Sequence, residues 1–296
     1  MDPLLTRFDD HLKETKQMAN NSRIAYRRDI VAFGSFLASK EIHDLLEATN
    51  TEVVGYLLQL KNEGKSSATV NRKLASLRAF YRFLSSDSKI QKDPTAHLKS
   101  PRIEQKHTEY LTIPEIERLL SVPPQTVKGI RDKALLELLY ATGMRVSEVA
   151  GANVNDVNLR IGFVMTGGEH GKARLIPLGR PARAAVETYV YEGRSKLLRE
   201  KTTSNEALFL NYNGDRLTRQ GIWKLIKEYA AEAGLVDRLT PQTLRNSFAV
   251  HMLQNGADLR SVQELLGHED IAATKLYLSV AKSRIKDVYD KTHPRA

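Results

Sequence analysis

Four polar side chains in the second half of the chain have types and positions that suit chemistry on a phosphate: Arg145, Arg245, His268 and Tyr277. Arg145 opens the segment RVSEVAG just after a helix-ending glycine signal, and His268 follows the glycine of VQELLGH. Arg245 lies in the mainly apolar segment TPQTLRNSFAVHML, where a cation is expensive to bury unless an anion accompanies it. Two such arginines can hold two oxygens of one phosphate with their fixed donor forks.

Each of these residues also has a simpler structural explanation. Arg145 can pair with Glu148 on its own helix, and Arg245 can bond to a carboxylate in the core. His268 can cap the helix before it, and Tyr277 can be one half-buried aromatic among 11 tyrosines. Each explanation is the default for its residue alone, whereas the four residues taken together favour a site.

The elements that must position these residues follow from the apolar periodicity of the sequence. A helix is predicted over 130–141, ending at Gly143, and GFVMTGGEHGKARLIPLG predicts a β-hairpin with a glycine-rich turn. The segment ALFLNYNGDRL predicts another short strand and a turn. Further helices are predicted over 218–232, after Thr240-Pro241, over 258–266 and over 282–290.

The first hundred residues predict a bundle of helices with one basic face. In the fourth helix an apolar stripe recurs at intervals of three and four residues, formed by Val70, Leu74, Leu77, Tyr81 and Leu84. The other faces of that helix carry four basic residues, which are Arg72, Lys73, Arg78 and Arg82. Residues 61–102 hold ten basic and three acidic side chains, which is typical of a surface that binds a polyanion. These four residues are therefore predicted to contact nucleic-acid phosphates.

Length and composition divide the chain and exclude several classes of protein. The 296 residues suggest two domains, and the proline-containing stretch 92–112 has no apolar period. We predict a helical domain over 1–102, a linker over 103–106 and a second domain over 107–296. The lack of cysteine excludes disulfides and cysteine-ligated zinc. No apolar run is long enough to span a bilayer, so we expect a cytoplasmic protein without membrane contact.

Three segments, TGMRVSEVAG, TPQTLRNSFAVHML and LLGHEDIAATKLY, resemble in order and spacing the signature boxes of the tyrosine recombinase (phage integrase) family, and the likeness is strongest to its Xer-type members. The segment SSATVNRKLASLRAFYRFL resembles the end of that family's helical core-binding domain. The resemblance implies an α-helical, SAM-like core-binding domain. It also implies a mixed, mainly α catalytic domain with a small antiparallel sheet.

For the residues, the resemblance implies specific roles. Tyr277 is the expected nucleophile, giving a 3′-phosphotyrosyl link and a free 5′-hydroxyl. Arg145 and Arg245 are expected to bind the scissile phosphate, and His268 to donate a hydrogen bond to it. Arg174, after the hairpin turn, is expected to contact DNA. The resemblance implies neither a metal nor another cofactor.

Two positions depart from the family pattern. Glu169 occupies the place of the lysine that protonates the leaving oxygen, and Lys172 in the same turn is the candidate substitute. Gln242 occupies the place of a histidine and can still form hydrogen bonds, but it cannot take a proton from the tyrosine. Asn246 stands where Xer proteins commonly have a second histidine. These departures leave open an accessory protein that binds a DNA site without cutting it.

The expected function is site-specific recombination, either chromosome dimer resolution or a related integration or excision role. A type IB topoisomerase-like enzyme, which relaxes DNA without exchanging partners, is a less favoured alternative. The expected partners are a double-stranded recombination site and a homo- or heterotetramer joined through the C-terminal helix over 282–290. A DNA translocase is a further candidate partner.

Overall fold

The computed structural model describes residues 3–101, 108–167, 173–198, 205–268, 270–271 and 273–278. The chain divides into two compact units, Met1–Lys106 and His107–Ala296. The predicted fold class is confirmed, because the first unit is helical and the second is mainly helical with a small antiparallel sheet. No helix among the described residues is long and apolar enough to cross a membrane.

The first unit contains four described helices, which are α1 (Pro3–Glu14), α2 (Asn20–Ala38), α3 (Asn50–Asn62) and α4 (Ser67–Ser86). Local signals set their starts: Thr49 and Glu52 form a capping box before α3, and the Ser66 hydroxyl accepts from the main chain of α4. All five residues of the predicted apolar stripe of α4 are buried. The stripe packs with aromatic side chains of α1 and α2, including Phe8 and Phe33.

The second unit is built around one largely buried helix. Its described helices are α5 (Ile113–Ser121), α6 (Val127–Thr142), α7 (Val146–Gly151), α8 (Arg180–Thr188), α9 (Arg194–Leu198), α10 (Arg219–Glu232), α11 (Pro241–Gln254) and α12 (Leu259–Leu266). The central helix α6 packs against α5, α7, α8, α9 and α11. Thr126 caps the start of α6, which therefore begins three residues before the predicted position. Residues 273–278 are also helical and carry Tyr277.

A three-stranded antiparallel sheet lies in the order β1 (Val157–Asn158), β2 (Phe163–Thr166) and β3 (Arg174–Pro177). The predicted hairpin is thus present, with Val164 opposite Ile176 in the register of β2 and β3. Both of these residues are buried, while their strand neighbours Met165 and Leu175 are exposed. This alternation fixes the register, because a shift by one residue would turn the apolar side chains to water.

Other parts of the sequence prediction differ from the structure or fall outside it. The segment ALFLNYNGDRL forms isolated bridges, Asn153 with Ala207 and Leu210 with Arg216, and no described strand. Its apolar residues are buried instead among the helices of the second unit. The helices α5, α8 and α9 were not predicted from the sequence. The predicted linker 103–106 and the predicted helix over 282–290 lie outside the described residues.

Candidate active site

Arg145 is positioned by the sharp end of α6. Gly143 closes that helix in the left-handed conformation, with a φ of 59°, and a Cβ there would lie 2.5 Å from Cδ1 of Phe248. Glycine is therefore required both by the backbone and by the packing. The turn makes Arg145 the N-cap residue of α7, where its main-chain N–H donates to Glu148 at 2.6 Å. The Arg145 side chain, 47% exposed, donates to Glu148 at 3.1 Å.

Arg245 lies in the middle of α11 and is only 4% exposed. Its described hydrogen bonds run to the main-chain oxygen of Gly143, to that of Leu266 at 2.6 Å and to Nε2 of His268 at 3.1 Å. The two carbonyls belong to the C-terminal ends of α6 and α12, which carry partial negative charge. Burial, together with the positive charge of Arg145, lowers the pKa of Arg245 to about 10. The structural alternative, a carboxylate in the core, is not among the described partners of Arg245, which are two helix ends and His268.

His268 follows Gly267, which ends α12 in the left-handed conformation with a φ of 63°. The Arg245 guanidinium has only donors, so Nε2 of His268 accepts, and the other ring nitrogen, Nδ1, donates to Oγ1 of Thr274 at 2.9 Å. Burial and the positive charges of Arg245, Arg145 and Arg174 lower the pKa of His268 to about 4. The imidazole is therefore neutral at pH 7.

Tyr277 is 5% exposed, and its ring is nearly parallel to that of His268, with centroids 6.4 Å apart. Its hydroxyl donates to Oδ1 of Asn246 at 3.1 Å. Burial raises the pKa of Tyr277 against the opposing effect of the positive charges of Arg245 and Arg145. The structure thus brings together the four side chains that the sequence marked.

Gln242 acts on Tyr277 only through a neighbour. Its Nε2 donates to Oδ1 of Asn246 at 2.9 Å, the same oxygen that accepts from Tyr277. The Asn246 amide in turn donates to the main-chain oxygen of Glu109 at 2.8 Å, which fixes its orientation. Asn246 is a tyrosine partner that the sequence analysis did not identify. Two signals pointed to it: its position four residues after Gln242 on one helix, and its place where Xer proteins commonly have a second histidine.

Arg174 does not face outward in the way expected of a DNA contact. Its guanidinium forms a bidentate pair with Glu148, both N···O distances being 2.8 Å, and its Nε donates to the main-chain oxygen of Leu265 at 2.8 Å. The carboxylate of Glu148 is therefore shared between Arg174 and Arg145. Burial would raise the pKa of the Glu148 carboxyl. The hydrogen bonds and charges of Arg174 and Arg145 nevertheless hold that pKa below its usual value. The sequence analysis considered Glu148 only as a partner of Arg145.

The turn residues Glu169 and Lys172 lie outside the described residues, so their predicted roles stay predictions. Among the residues that the structure describes, no group of three or more histidine and acidic side chains is arranged to hold a metal ion. What the arrangement offers is two guanidinium groups and an imidazole beside a buried phenol. Such a cationic cluster can bind one anionic group and present it to the phenol oxygen.

The four basic residues of α4 have different surroundings in the first unit. Arg72 and Lys73 both pair with the buried Asp29 of α2, the lysine at 3.3 Å. Arg78 donates to the main-chain oxygen of Leu98 and to Ser100 at 2.9 Å. Arg82 is exposed. Of the four predicted phosphate contacts, Arg82 is therefore the one least engaged with other described groups. Lys73 and Arg78 also stabilise their own domain through the contacts just given.

Comparisons with known proteins agree with these features. The profile described as "Phage integrase family" matches residues 109–284, and the profile described as "Phage integrase, N-terminal SAM-like domain" matches residues 5–87. A protein of Oceanobacillus iheyensis named Tyrosine recombinase XerD is 42% identical over 293 residues, covering 98% of this chain and 97% of the relative. A Listeria monocytogenes protein of the same name is 43% identical over 298 residues, with 100% of both chains covered.

Solved structures share the fold. The XerH site-specific recombinase bound to palindromic difH substrate matches with a TM-score of 0.74 and 22% identity, covering 96% of this chain and 83% of that one. A lambda integrase dimer bound to a COC′ core site matches with a TM-score of 0.73 and 18% identity, covering 94% of each chain. At these identities the likeness concerns the fold alone.

Proposed function

The chain belongs to the phage integrase family, and on that premise we propose that it is a site-specific tyrosine recombinase. It cuts and rejoins DNA through a covalent bond between Tyr277 and a 3′-phosphate. The observation that carries this proposal is the grouping of Arg145, Arg245 and His268 around Tyr277: Arg245 binds His268, the His268 ring lies beside the Tyr277 ring, and the charges of both arginines act on the pKa of its hydroxyl. The 42–43% identity to proteins named tyrosine recombinase, over nearly the whole chain, supports the same function.

In the cleavage step the Tyr277 hydroxyl gives up its proton to water, its oxygen attacks phosphorus, the bond from phosphorus to the 5′-oxygen breaks, and that oxygen takes up a proton from a donor as it leaves. Arg145 and Arg245 neutralise the charge that develops on the non-bridging oxygens. Rejoining is the reverse reaction with the 5′-hydroxyl of another strand. The phosphodiester energy is kept in the covalent intermediate, so no nucleotide cofactor is needed.

Two hydrogen bonds of the free protein must change in this reaction. The hydroxyl of Tyr277 donates to Asn246 and must turn from that amide toward phosphorus. His268 accepts from Arg245 at Nε2, and it can donate to a phosphate oxygen only after a proton moves to that nitrogen. A bound phosphate favours the second change, because its negative charge offsets the positive charges that hold the imidazole neutral.

The leaving 5′-oxygen needs a proton donor, and we assign this role to Lys172. The position of the family lysine holds Glu169, whose ordinary pKa leaves it ionised at pH 7 without a proton to give. A lysine keeps its proton at that pH and lies in the same turn of the sequence. Gln242 contributes by holding Asn246, and through it the tyrosine, rather than by proton transfer.

The partner that these residues fit is a double-stranded recombination site. The first unit supplies basic residues on α4, of which Arg72 and Arg82 are exposed, and Arg72 already pairs with Asp29. We propose that the protein acts in the cytoplasm as a tetramer of identical or related recombinases on two DNA sites, joined through its C-terminal residues. A translocase that moves along DNA is a further candidate partner, and chromosome dimer resolution is the candidate process.

The proposal is tested by trapping the covalent intermediate. A DNA site is first selected from a random-sequence duplex library by binding to the Tyr277→Phe variant. Duplexes with that site are then nicked at successive positions, so that the fragment with the free 5′-hydroxyl diffuses away after cleavage. The native protein should give an adduct that survives denaturant, and Tyr277→Phe should not. Tyr191→Phe, which changes an exposed tyrosine, is the matched control.

The same experiment separates the two functional candidates. An adduct lost only in Tyr277→Phe supports the recombinase. Tight and specific binding without any adduct, at every nick position, would establish the accessory DNA-binding protein instead. An adduct that resolves only by rejoining its own strand, with no exchange between two labelled duplexes, would favour the topoisomerase-like activity.

A further inference from the structure

Arg174 is held inside the second unit by three hydrogen bonds. Two run to the oxygens of Glu148 and one to the main-chain oxygen of Leu265, all at 2.8 Å. Its side chain is only 12% exposed. A guanidinium with its forked donors already aligned on a carboxylate offers little to a DNA phosphate, since it would have to break a bidentate pair to reach one. Its position therefore calls for a role other than backbone contact.

The carboxylate that Arg174 binds is also the partner of Arg145. One oxygen of Glu148 accepts from the Arg145 main chain at 2.6 Å, and the other accepts from the Arg145 guanidinium at 3.1 Å. With the two bonds from Arg174, the four acceptor positions of a carboxylate are filled. Arg145 is left with a single side-chain bond to Glu148. Without Arg174, the carboxylate of Glu148 could accept hydrogen bonds from both terminal nitrogens of the Arg145 guanidinium.

Both arginines also meet at Gly267. The Arg145 guanidinium donates to the Gly267 carbonyl at 3.3 Å, and a Cβ on Gly267 would lie 2.8 Å from a terminal nitrogen of Arg174. The guanidinium of Arg174 thus packs directly on the residue that precedes His268. Arg174 connects β3, the start of α7 and the end of α12, which together carry Arg145 and His268.

We propose that Arg174 is a positioning residue for catalysis. By occupying Glu148 and packing on Gly267, it keeps the guanidinium of Arg145 available to the scissile phosphate and fixes the peptide that carries His268. This role rests on the proposed recombinase function. It differs from a direct contact between Arg174 and DNA, which the family pattern of the sequence suggested.

The two roles are separated by measuring binding and cleavage on the same nicked duplex. Arg174→Met should lower the rate of adduct formation about 10- to 100-fold, a part of the loss typical for one missing transition-state donor. The slope of log affinity against log salt should stay unchanged. A lost phosphate contact would reduce that slope by about 0.9, which would overturn the proposal. Arg180→Met, at an exposed position, is the control for the loss of one positive charge.

A double-mutant cycle tests whether Arg174 acts through Arg145. In an Arg145→Ala background, Arg174→Met should lower the cleavage rate clearly less than it does in the native protein, because one of the two groups that it positions is gone and only the effect through His268 remains. Independent effects that multiply would overturn the proposal. Arg174→Lys, which keeps the charge but not the fork, should lie between the native protein and Arg174→Met. It also serves if the methionine variant fails to fold.

A readout without DNA keeps this inference separate from the proposed function. In a crystal structure of Arg174→Met, the Arg145 guanidinium should form a bidentate pair with Glu148. An Arg145 that stays in its native position would overturn the inference even if the native enzyme cleaves DNA. If the native protein forms no adduct, the recombinase proposal fails, and the crystal structure still decides how Arg174 acts on Arg145. Gly267→Ala should displace the Arg174 guanidinium and reproduce the change at Arg145.

Discussion

Replacing Arg245 by methionine should abolish cleavage while leaving the stability of the protein almost unchanged. The residue is buried in α11, and its described hydrogen bonds go to two helix-end carbonyls and to a neutral imidazole. These acceptors carry only partial charges, so the cation is incompletely compensated in the free protein. Methionine keeps a flexible apolar stem of similar shape and removes the charge.

Two terms of opposite sign determine the change in the free energy of unfolding. Burial first, and then the charge of Arg145, lower the pKa of Arg245 to about 10. Relative to the ordinary value this means that the charge costs the folded state about 3 kcal/mol. Against this gain, two buried carbonyls lose their donor, at about 1–3 kcal/mol each, while Nε2 of the partly exposed His268 can accept from water instead. The terms nearly cancel, and we expect a net change within about 2 kcal/mol in either direction.

Urea denaturation of the free protein and adduct formation on the nicked duplex are the two assays. Arg145→Ala is the matched comparison, since it removes a more exposed guanidinium that we propose to bind the same phosphate. A destabilisation of Arg245→Met by more than about 4 kcal/mol would refute the reasoning, because Arg245 would then be held mainly for structure. Retained cleavage would refute its assignment to the phosphate.

Three further predictions concern pH, proton transfer and DNA contact. Because the pKa of His268 is about 4 in the folded chain and about 6.5 when unfolded, the unfolded chain binds more protons between these values. Unfolding free energy should therefore fall from pH 7 to 4, and it should fall less in His268→Gln when measured by urea denaturation. Gln242→His should raise the cleavage rate about 10²-fold at pH 8 with unchanged DNA affinity, because histidine can accept the proton of Tyr277. An unchanged rate would show that the hydrogen bond of Tyr277 to Asn246 is enough for cleavage. Arg82→Ala should lower the salt slope of DNA binding by about 0.9, while Arg78→Ala, whose guanidinium binds a carbonyl of its own domain, should not. An Arg82→Ala variant with an unchanged salt slope would contradict the exposed face of α4 as a DNA surface.

The sequence predicted the parts of the site that depend on local pattern. A lone arginine in the apolar α11 and a histidine after a helix-ending glycine both lie where their segments indicated. The acceptors of Arg245 were not predictable, because they are main-chain carbonyls of two other helices and leave no mark in residue type. The ion pair of Arg174 with Glu148 depends on how the hairpin packs against α7. The periodicity of the sequence contains no information about that packing.

Helix prediction failed for a related reason. The helices α5, α8 and α9 are short and are stabilised by packing on α6. α5 does carry sequence signals that the prediction did not use, namely a capping box of Thr112 and Glu115 and the apolar pair Ile116 and Leu119. The segment ALFLNYNGDRL opens with a continuous apolar run, and these apolar residues fill the core among helices. A short apolar run fits a buried strand and another buried core segment equally well, so periodicity alone does not separate them.

The counter-charges of the arginine cluster have a consequence for how the site tolerates substitution. An amino-acid substitution does not remove the main-chain carbonyls at the ends of α6 and α12. These carbonyls also do not titrate over the pH range in which carboxylates gain protons. The vulnerable positions are therefore the two glycines that turn those ends toward the guanidiniums, Gly143 and Gly267. A side chain at either one would leave every charged residue in place and still misdirect the dipoles that keep the cluster together.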